Sequence, residues 1–212
     1  MDTFPEDFKL LQELNSLLVV SENADLFEAR GVILARMGNG KEALRDFSRA
    51  LQLGKKTSWK YRGEVYFALG KYEAALEDFD LYLTDHKHDA AALRYRAEVK
   101  QTQADWAGAI EDYTASLGVE PGSASTLASL GQIFFELGYY KRAMEFFDQA
   151  LALDDEYPEA HLGRGQVLFE MGLYQEATAE FQLVLRIRPK DETAADYFSN
   201  SMVLLNQRSP HS

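Results

Sequence analysis

Apolar residues recur three and four positions apart along this chain, in stretches of about a dozen residues broken by short polar turns. That is the period of an amphipathic helix, not the alternation of a strand. The stretches come in pairs. Gly38, Gly70, Gly138 and Gly172 stand between the members of four pairs, where a left-handed residue ends one helix and starts the turn into the next. Ala104 holds the corresponding place in a fifth pair and predicts a strained or altered turn. Pro121 and Pro189 fall after second helices, where the helix must stop. One further stretch lies at each end. Residues 3–20 read as an amphipathic helix, with Thr3 and Glu6 placed as a capping box and Phe8, Leu11, Leu14 and Leu18 on its inward face. Residues 191–207 read as a closing helix that buries Ala194, Ala195, Phe198, Met202 and Leu205, and the tail RSPHS reads as disordered.

The pairs share a register. A glycine or alanine is followed twelve residues later by alanine, and four beyond that by an aromatic: Gly31–Ala43–Phe47, Gly63–Ala75–Phe79, Ala97–Ala109–Tyr113, Gly131–Ala143–Phe147 and Gly165–Ala177–Phe181. The first members lie 32, 34, 34 and 34 residues apart. Small residues such as Gly63 and Ala75 let the two helices of a pair approach closely, so valine at Gly63 should overpack the crossing by about 1–3 kcal/mol. Tyr72, Trp106, Tyr140 and Tyr174 open the second helices and are placed to fill space toward the next repeat; Gly40 stands there in the first, weakest copy. Period and motif together resemble the tetratricopeptide repeat, most closely at Trp59-x-x-Arg62-Gly63-x-x-Tyr66 and Leu127-x-x-Leu130-Gly131-x-x-Phe134. The resemblance implies an all-α, right-handed α-α superhelix of five helical hairpins with a capping helix at either end. Its bounds are 1–23 for the N-terminal cap, 24–55, 56–89, 90–123, 124–157 and 158–191 for the repeats, and 192–212 for the C-terminal cap and tail. Caps are needed because an interior repeat buries its faces only against its neighbours.

The seventh position of each repeat carries a second regularity. It is arginine in four copies, Arg30, Arg62, Arg96 and Arg164, and sixteen residues later those copies carry Asp46, Asp78, Asp112 and Glu180. In the fourth copy both change together, to Leu130 and Phe146. A hairpin turning between them brings the two positions opposite each other, so the pattern predicts an arginine–carboxylate pair inside each hairpin, replaced once by an apolar contact. The planar guanidinium suits this because it meets a carboxylate with two parallel bonds.

Composition then removes whole classes of chemistry. With no cysteine there is no disulfide, thiolate nucleophile or cysteine-bound metal. The 22 Lys and Arg against 34 Asp and Glu leave a net charge of −12, which argues against a nucleic-acid partner. No apolar run approaches a membrane span, and the N-terminus shows no basic-then-apolar leader, so a cytoplasmic protein without membrane insertion is expected. His86 and His88 sit in a polar loop without a fixed third ligand; His161 reads as a packed core histidine, and Asp154, Asp155 and Glu156 as a solvated connector. Phosphate-loop, nucleophile-elbow and zinc-protease motifs are absent. No enzyme, no metal and no cofactor is expected.

By the resemblance, the first helices line an inner groove. Its N-terminal half then carries Lys60, Glu64, Phe67, Arg94, Glu98 and Gln101, and its C-terminal half Gln132, Phe135, Leu162, Gln166 and Phe169. Such a strip suits an extended or helical peptide anchored on the aromatics, unless those rings pack on the following helix instead. Family members that clamp the C-terminal carboxylate of heat-shock chaperones use Lys, Asn, Asn, Lys and Arg. The first three repeats here offer Glu28, Val32, Tyr61, Ala91 and Tyr95, and the next frame Lys60, Glu64, Tyr95, Ser125 and Ser129, so that clamp is missing. The expected function is a non-catalytic scaffold for a protein or peptide partner. The alternative is a self-associating protein, a homodimer through the last helix, where Val203, Leu204 and Leu205 are too many to bury.

Overall fold

The structure, a computed structural model, describes residues 5–208; Thr3 of the expected capping box and residues 209–212 of the tail lie outside them. The described residues form twelve helices and no strand: α1 (Pro5–Val20), α2 (Ala24–Arg36), α3 (Gly40–Gln52), α4 (Ser58–Ala68), α5 (Tyr72–Asp85), α6 (Ala90–Thr102), α7 (Trp106–Val119), α8 (Ala124–Glu136), α9 (Tyr140–Leu153), α10 (Pro158–Glu170), α11 (Tyr174–Ile187) and α12 (Glu192–Arg208). They group into two units, with the division between Asp112 and Tyr113, inside α7. The tight turns after α2, α4, α8 and α10 place Gly38, Gly70, Gly138 and Gly172 at φ of 79°, 69°, 75° and 76°. Each closes as a Schellman motif: after α2, the Asn39 amide donates to the Leu34 carbonyl at 2.8 Å and the Gly38 amide to Ala35 at 3.0 Å. Ala104 makes the same turn at φ 58°, its successor Asp105 donating to the Lys100 carbonyl at 2.9 Å. The turn there is strained, not altered. Gly54, at φ 90°, forms one more such turn after α3, which lets the first connector run two residues short.

In the first unit, α2 packs on α3 and α4 on α5, and successive pairs pack through α3 on α4 and α5 on α6. Phe47 and Phe79 are fully buried, each under the backbone of the small residue that faces it. A Cβ on Gly31 would stand 2.6 Å from the Phe47 ring, and one on Gly63 3.0 Å from Phe79. Between pairs, rings stack face to face, Tyr61 on Phe47 at 5.9 Å and Tyr95 on Phe79 at 5.8 Å. Helix α1 lies against α2 with Leu14 buried and Leu11 packed on the Phe47 cluster. Phe8 does not join that face: it is 55% exposed, and the neighbouring Asp7 is buried instead, paired with Arg36. Positions 7, 11, 14 and 18 share one stripe, and a one-residue step rotates a side chain about 100° around the helix.

In the second unit, α8 packs on α9, α10 on α11 and α11 on α12. Phe147 and Phe181 are buried beneath Gly131 and Gly165, whose Cβ atoms would each stand 2.6 Å from the ring. Gly163 lays the α10 backbone directly on Phe147, where a Cβ would overlap the ring. Helix α12 closes α11 through Ala194, Tyr197 and Ser201, with Tyr197 stacked on Phe181 at 5.3 Å. Met202, expected on this face, is 41% exposed, because the buried stripe runs through Tyr197 and Ser201. Val203 is 54% exposed, while Leu204 and Leu205 are half-buried.

Candidate functional site

In four of the repeats one side of the first helix is taken by charge pairs. Arg30 donates to Asp46 through Nε and Nη2, both at 2.7 Å; Arg62 meets Asp78 at 2.8 Å twice, and Arg96 meets Asp112 at 2.8 and 2.6 Å. Arg164 reaches Glu180 at 2.6 Å through Nη2. In the fourth copy Leu130 is buried and Phe146 stacks on Phe134 at 5.3 Å. The remaining guanidinium nitrogen, Nη1, has a use the sequence reading missed: it reaches back to the helix before its own hairpin. Arg62 donates to Ser48 at 3.1 Å, Arg96 to Asp80 and Arg30 to Asn15 at 2.8 Å, and Arg164 to Asp148 at 3.0 Å. Asp80 and Asp148 lie sixteen residues before their arginines, a spacing visible in the chain. Hydrogen bonding to Asp78 pushes Arg62 above its ordinary value, while burial, opposed by Arg62, leaves the Asp78 carboxyl raised. With Asp78 buried beneath it, the loss of Arg62 would leave an uncompensated carboxylate in the interior.

The expected groove residues recur as one stripe per first helix. In the first unit these are Lys60, Glu64 and Phe67 on α4, and Arg94, Glu98 and Gln101 on α6, all half-buried. Lys60 pairs with Asp89 at 2.9 Å and Arg94 with Glu98 at 2.5 Å. Phe67 sits between Tyr72 and Tyr95, 5.9 Å from each. Asp89 organises this stretch, and the sequence reading passed over it. It caps α6 by accepting from the Ala92 amide at 2.9 Å, and it also accepts from the Tyr82 hydroxyl at 2.9 Å. Burial raises its carboxyl, but Lys60, the Ala92 amide and Tyr82 together outweigh burial and hold it below the ordinary value. An aspartate directly before an alanine-rich helix start was the available signal.

In the second unit the stripe is Gln132 and Phe135 on α8, with Leu162, Gln166 and Phe169 on α10, again half-buried. Gln132 donates to Glu136 at 2.8 Å. Phe169 lies 5.3 Å from both Tyr174 and Tyr197, so it packs on its own hairpin and on the following helix. Phe135 meets Tyr140 at 5.9 Å, but the position that carries Tyr95 and Tyr197 elsewhere is Gly163 in the next repeat. Tyr72, Tyr140 and Tyr174 thus contact the groove phenylalanine of their own hairpin.

His161 and His86 take structural places. His161 is buried, with Nδ1 2.7 Å from Glu180 and Nε2 2.9 Å from the Asp155 carbonyl. His86 stacks on Tyr82 at 4.3 Å, and His88 is exposed. Among the described residues no group of three or more acidic or histidine side chains is placed to hold a metal ion, and no helix is long and apolar enough to cross a membrane.

Family models described as tetratricopeptide repeat match residues 28–92 and 158–191, and one described as TPR repeat matches 131–172. The Homo sapiens protein named tetratricopeptide repeat protein 13 is 32% identical over 85 residues, which is 39% of this chain and 10% of that protein's length. Among solved structures, a chain of the APC/C hetero-tetramer Cut9-Hcn1 aligns with a TM-score of 0.80 at 18% identity, over 92% of this chain and 39% of that one. YrrB, described as a TPR protein with an unusual peptide-binding site, aligns at 0.70 and 16% identity, over 86% of this chain and 96% of that one. MamA aligns at 0.68 and 18% identity, over 76% and 95%. At such identities these likenesses establish the fold alone.

Proposed function

The chain belongs to the tetratricopeptide repeat family, and from that premise we propose that it is a non-catalytic scaffold that holds a peptide or protein segment along its first helices. The supporting observation is the division of each first helix into two faces. On α10, Ala160, Gly163 and Val167 are buried against neighbours, while Leu162, Gln166 and Phe169, four and three residues apart, stay half-exposed. A stripe of aromatic and amide groups that the fold does not fully consume is what an anchored peptide needs. Of the two groove phenylalanines in the second unit, Phe135 meets Tyr140 where Phe169 meets both Tyr174 and Tyr197, and Phe135 serves as the principal anchor. The positions that would clamp a chaperone carboxylate lack the Lys, Asn, Asn, Lys and Arg set, and the first of them, Glu28, accepts from Thr57 at 2.6 Å and Ser58 at 2.7 Å. An affinity capture comparing the native chain with a Phe135→Ala, Gln166→Ala variant tests the reading. The double variant is expected to lose partners that an Arg186→Ala control retains, at unchanged thermal midpoint; identical partner sets would refute it.

A second reading rests on α12, where Met202 and Val203 remain 41% and 54% exposed: two copies associate through this helix. Light scattering at two concentrations decides it, since a strict monomer removes self-association.

A further inference from the structure

Three hairpins fill the space beside the turn with a pair of rings: Phe67 with Tyr72 at 5.9 Å, Phe135 with Tyr140 at 5.9 Å and Phe169 with Tyr174 at 5.3 Å. The first hairpin has Ala35 and Gly40 at those two positions. There is room for a side chain at the second of them. A Cβ at Gly40 would stand 3.4 Å from Val65 Cγ1 and 3.6 Å from Leu69 Cδ1, which is ordinary contact. What remains is a hollow of about 600 Å³ lined by Val32, Tyr61, Val65 and Leu69, with the buried Phe47 ring stacked against Tyr61, within the size range of ligand clefts.

One carboxylate lines it. Glu64 makes no hydrogen bond and no ion pair among the described residues, and the nearby cations are engaged, Lys60 by Asp89, Arg94 by Glu98, and Arg36, which also lines the hollow, by Asp7. Burial pushes its carboxyl above the ordinary value, which marks a charge short of compensation. No buried side-chain nitrogen or oxygen lacks a partner among the described residues, so the unpartnered Glu64 oxygens are in reach of solvent and hence of a ligand.

We propose that this hollow is a socket for an aromatic side chain of a partner peptide, with a basic residue of the same peptide pairing with Glu64. The inference rests on the peptide-scaffold reading and names the partner's chemistry at one site. The chain itself supplies the argument for the ring, since the same frame encloses aromatics in three of its own hairpins. The unpaired carboxylate, on a chain of net charge −12, supplies the argument for the cation.

The test is a methyl NMR titration with the blocked hexapeptide Gly-Ser-Trp-Arg-Ser-Gly, run beside versions carrying Ala for Trp or Glu for Arg. Saturable shifts at Val32, Val65 and Leu69 are expected, with affinity about tenfold weaker for either altered peptide. Glu64→Gln should shrink the preference for Arg over Glu to within about threefold. Gly40→Tyr supplies the missing ring from the chain itself; it should abolish the shifts while leaving the spectrum folded and the thermal midpoint no lower. Equal response to the Ala peptide, or shifts that persist in Gly40→Tyr, would overturn the socket. If Phe135→Ala with Gln166→Ala abolishes binding and Gly40→Tyr does not, the socket fails and the groove stands; the opposite pattern keeps the socket and removes the groove anchors. Concentration-dependent shifts of the same methyls without peptide, lost in Gly40→Tyr, would overturn it in favour of a second copy of the chain.

Discussion

Ala104 holds a side chain at φ 58°, where four sister turns use glycine. A left-handed backbone costs an L-residue roughly 1–2 kcal/mol, and glycine gives part of that back as unfolded-chain entropy. Ala104→Gly should therefore stabilise the protein by about 0.5–1 kcal/mol in urea denaturation. The opposite holds at Gly163, whose backbone rests on Phe147: Gly163→Ala must displace that ring and should cost about 1–3 kcal/mol. Gly63→Val should cost a similar amount, since a first carbon there already touches Phe79 at 3.0 Å. The turn glycines and Gly63 were legible from the repeat register, whereas Gly163 stands outside that register. That Gly163 replaces the stacking tyrosine of other repeats was not legible, because the exchange of a ring for a backbone contact is settled by how closely α9 and α10 approach.

Between helices, the arginine staple is the recurrent device. Asp78 is 2% exposed, so Arg62→Ala leaves a buried, uncompensated carboxylate and should cost roughly 3 kcal/mol or more. The fourth repeat, with Leu130 and Phe146, predicts the compensated exchange: Arg62→Leu with Asp78→Phe should fall within about 1 kcal/mol of the native chain. A thermodynamic cycle by denaturant unfolding checks both. Asp89 offers a pH test at the same scale. Its folded-state carboxyl is held below the ordinary value of 3.8, so the stability it contributes is present above that value and is lost as pH falls through the lower folded value. The stability difference between the native chain and Asp89→Ala should accordingly be constant near neutrality and shrink as the solution is acidified below pH 3.8. The sequence foretold which arginine faces which carboxylate because both positions recur at one period. The second arm to the preceding helix went unread although Asp80 and Asp148 keep a regular spacing to their arginines, because it joins different hairpins; at Asp89 the chain signalled a helix cap, and only the packing of α4 and α5 added Lys60 and Tyr82.

At the scale of the whole chain, the net charge of −12 and the carboxylate in the first-hairpin hollow bear on the same kind of partner. Charge acts mainly on encounter, so association with a basic peptide should slow severalfold between about 0.05 and 0.5 M salt, while dissociation changes less; stopped-flow kinetics reads both. The all-helical repeat fold followed from the sequence alone. A 3.6-residue period, left-handed turn residues and a small residue opposite each aromatic are local or repeat-periodic features, and five repetitions of one register leave little freedom in how each hairpin pairs. The tertiary structure decided what the fold leaves over. It turned Phe8 outward and Asp7 inward, enclosed Phe67 and Phe169 between tyrosines while leaving Phe135 with one, and kept the space beside Ala35 and Gly40 open. Those outcomes depend on distances between side chains far apart in sequence, where a rotation of one residue or a gap of one ring separates a packed surface from an available one.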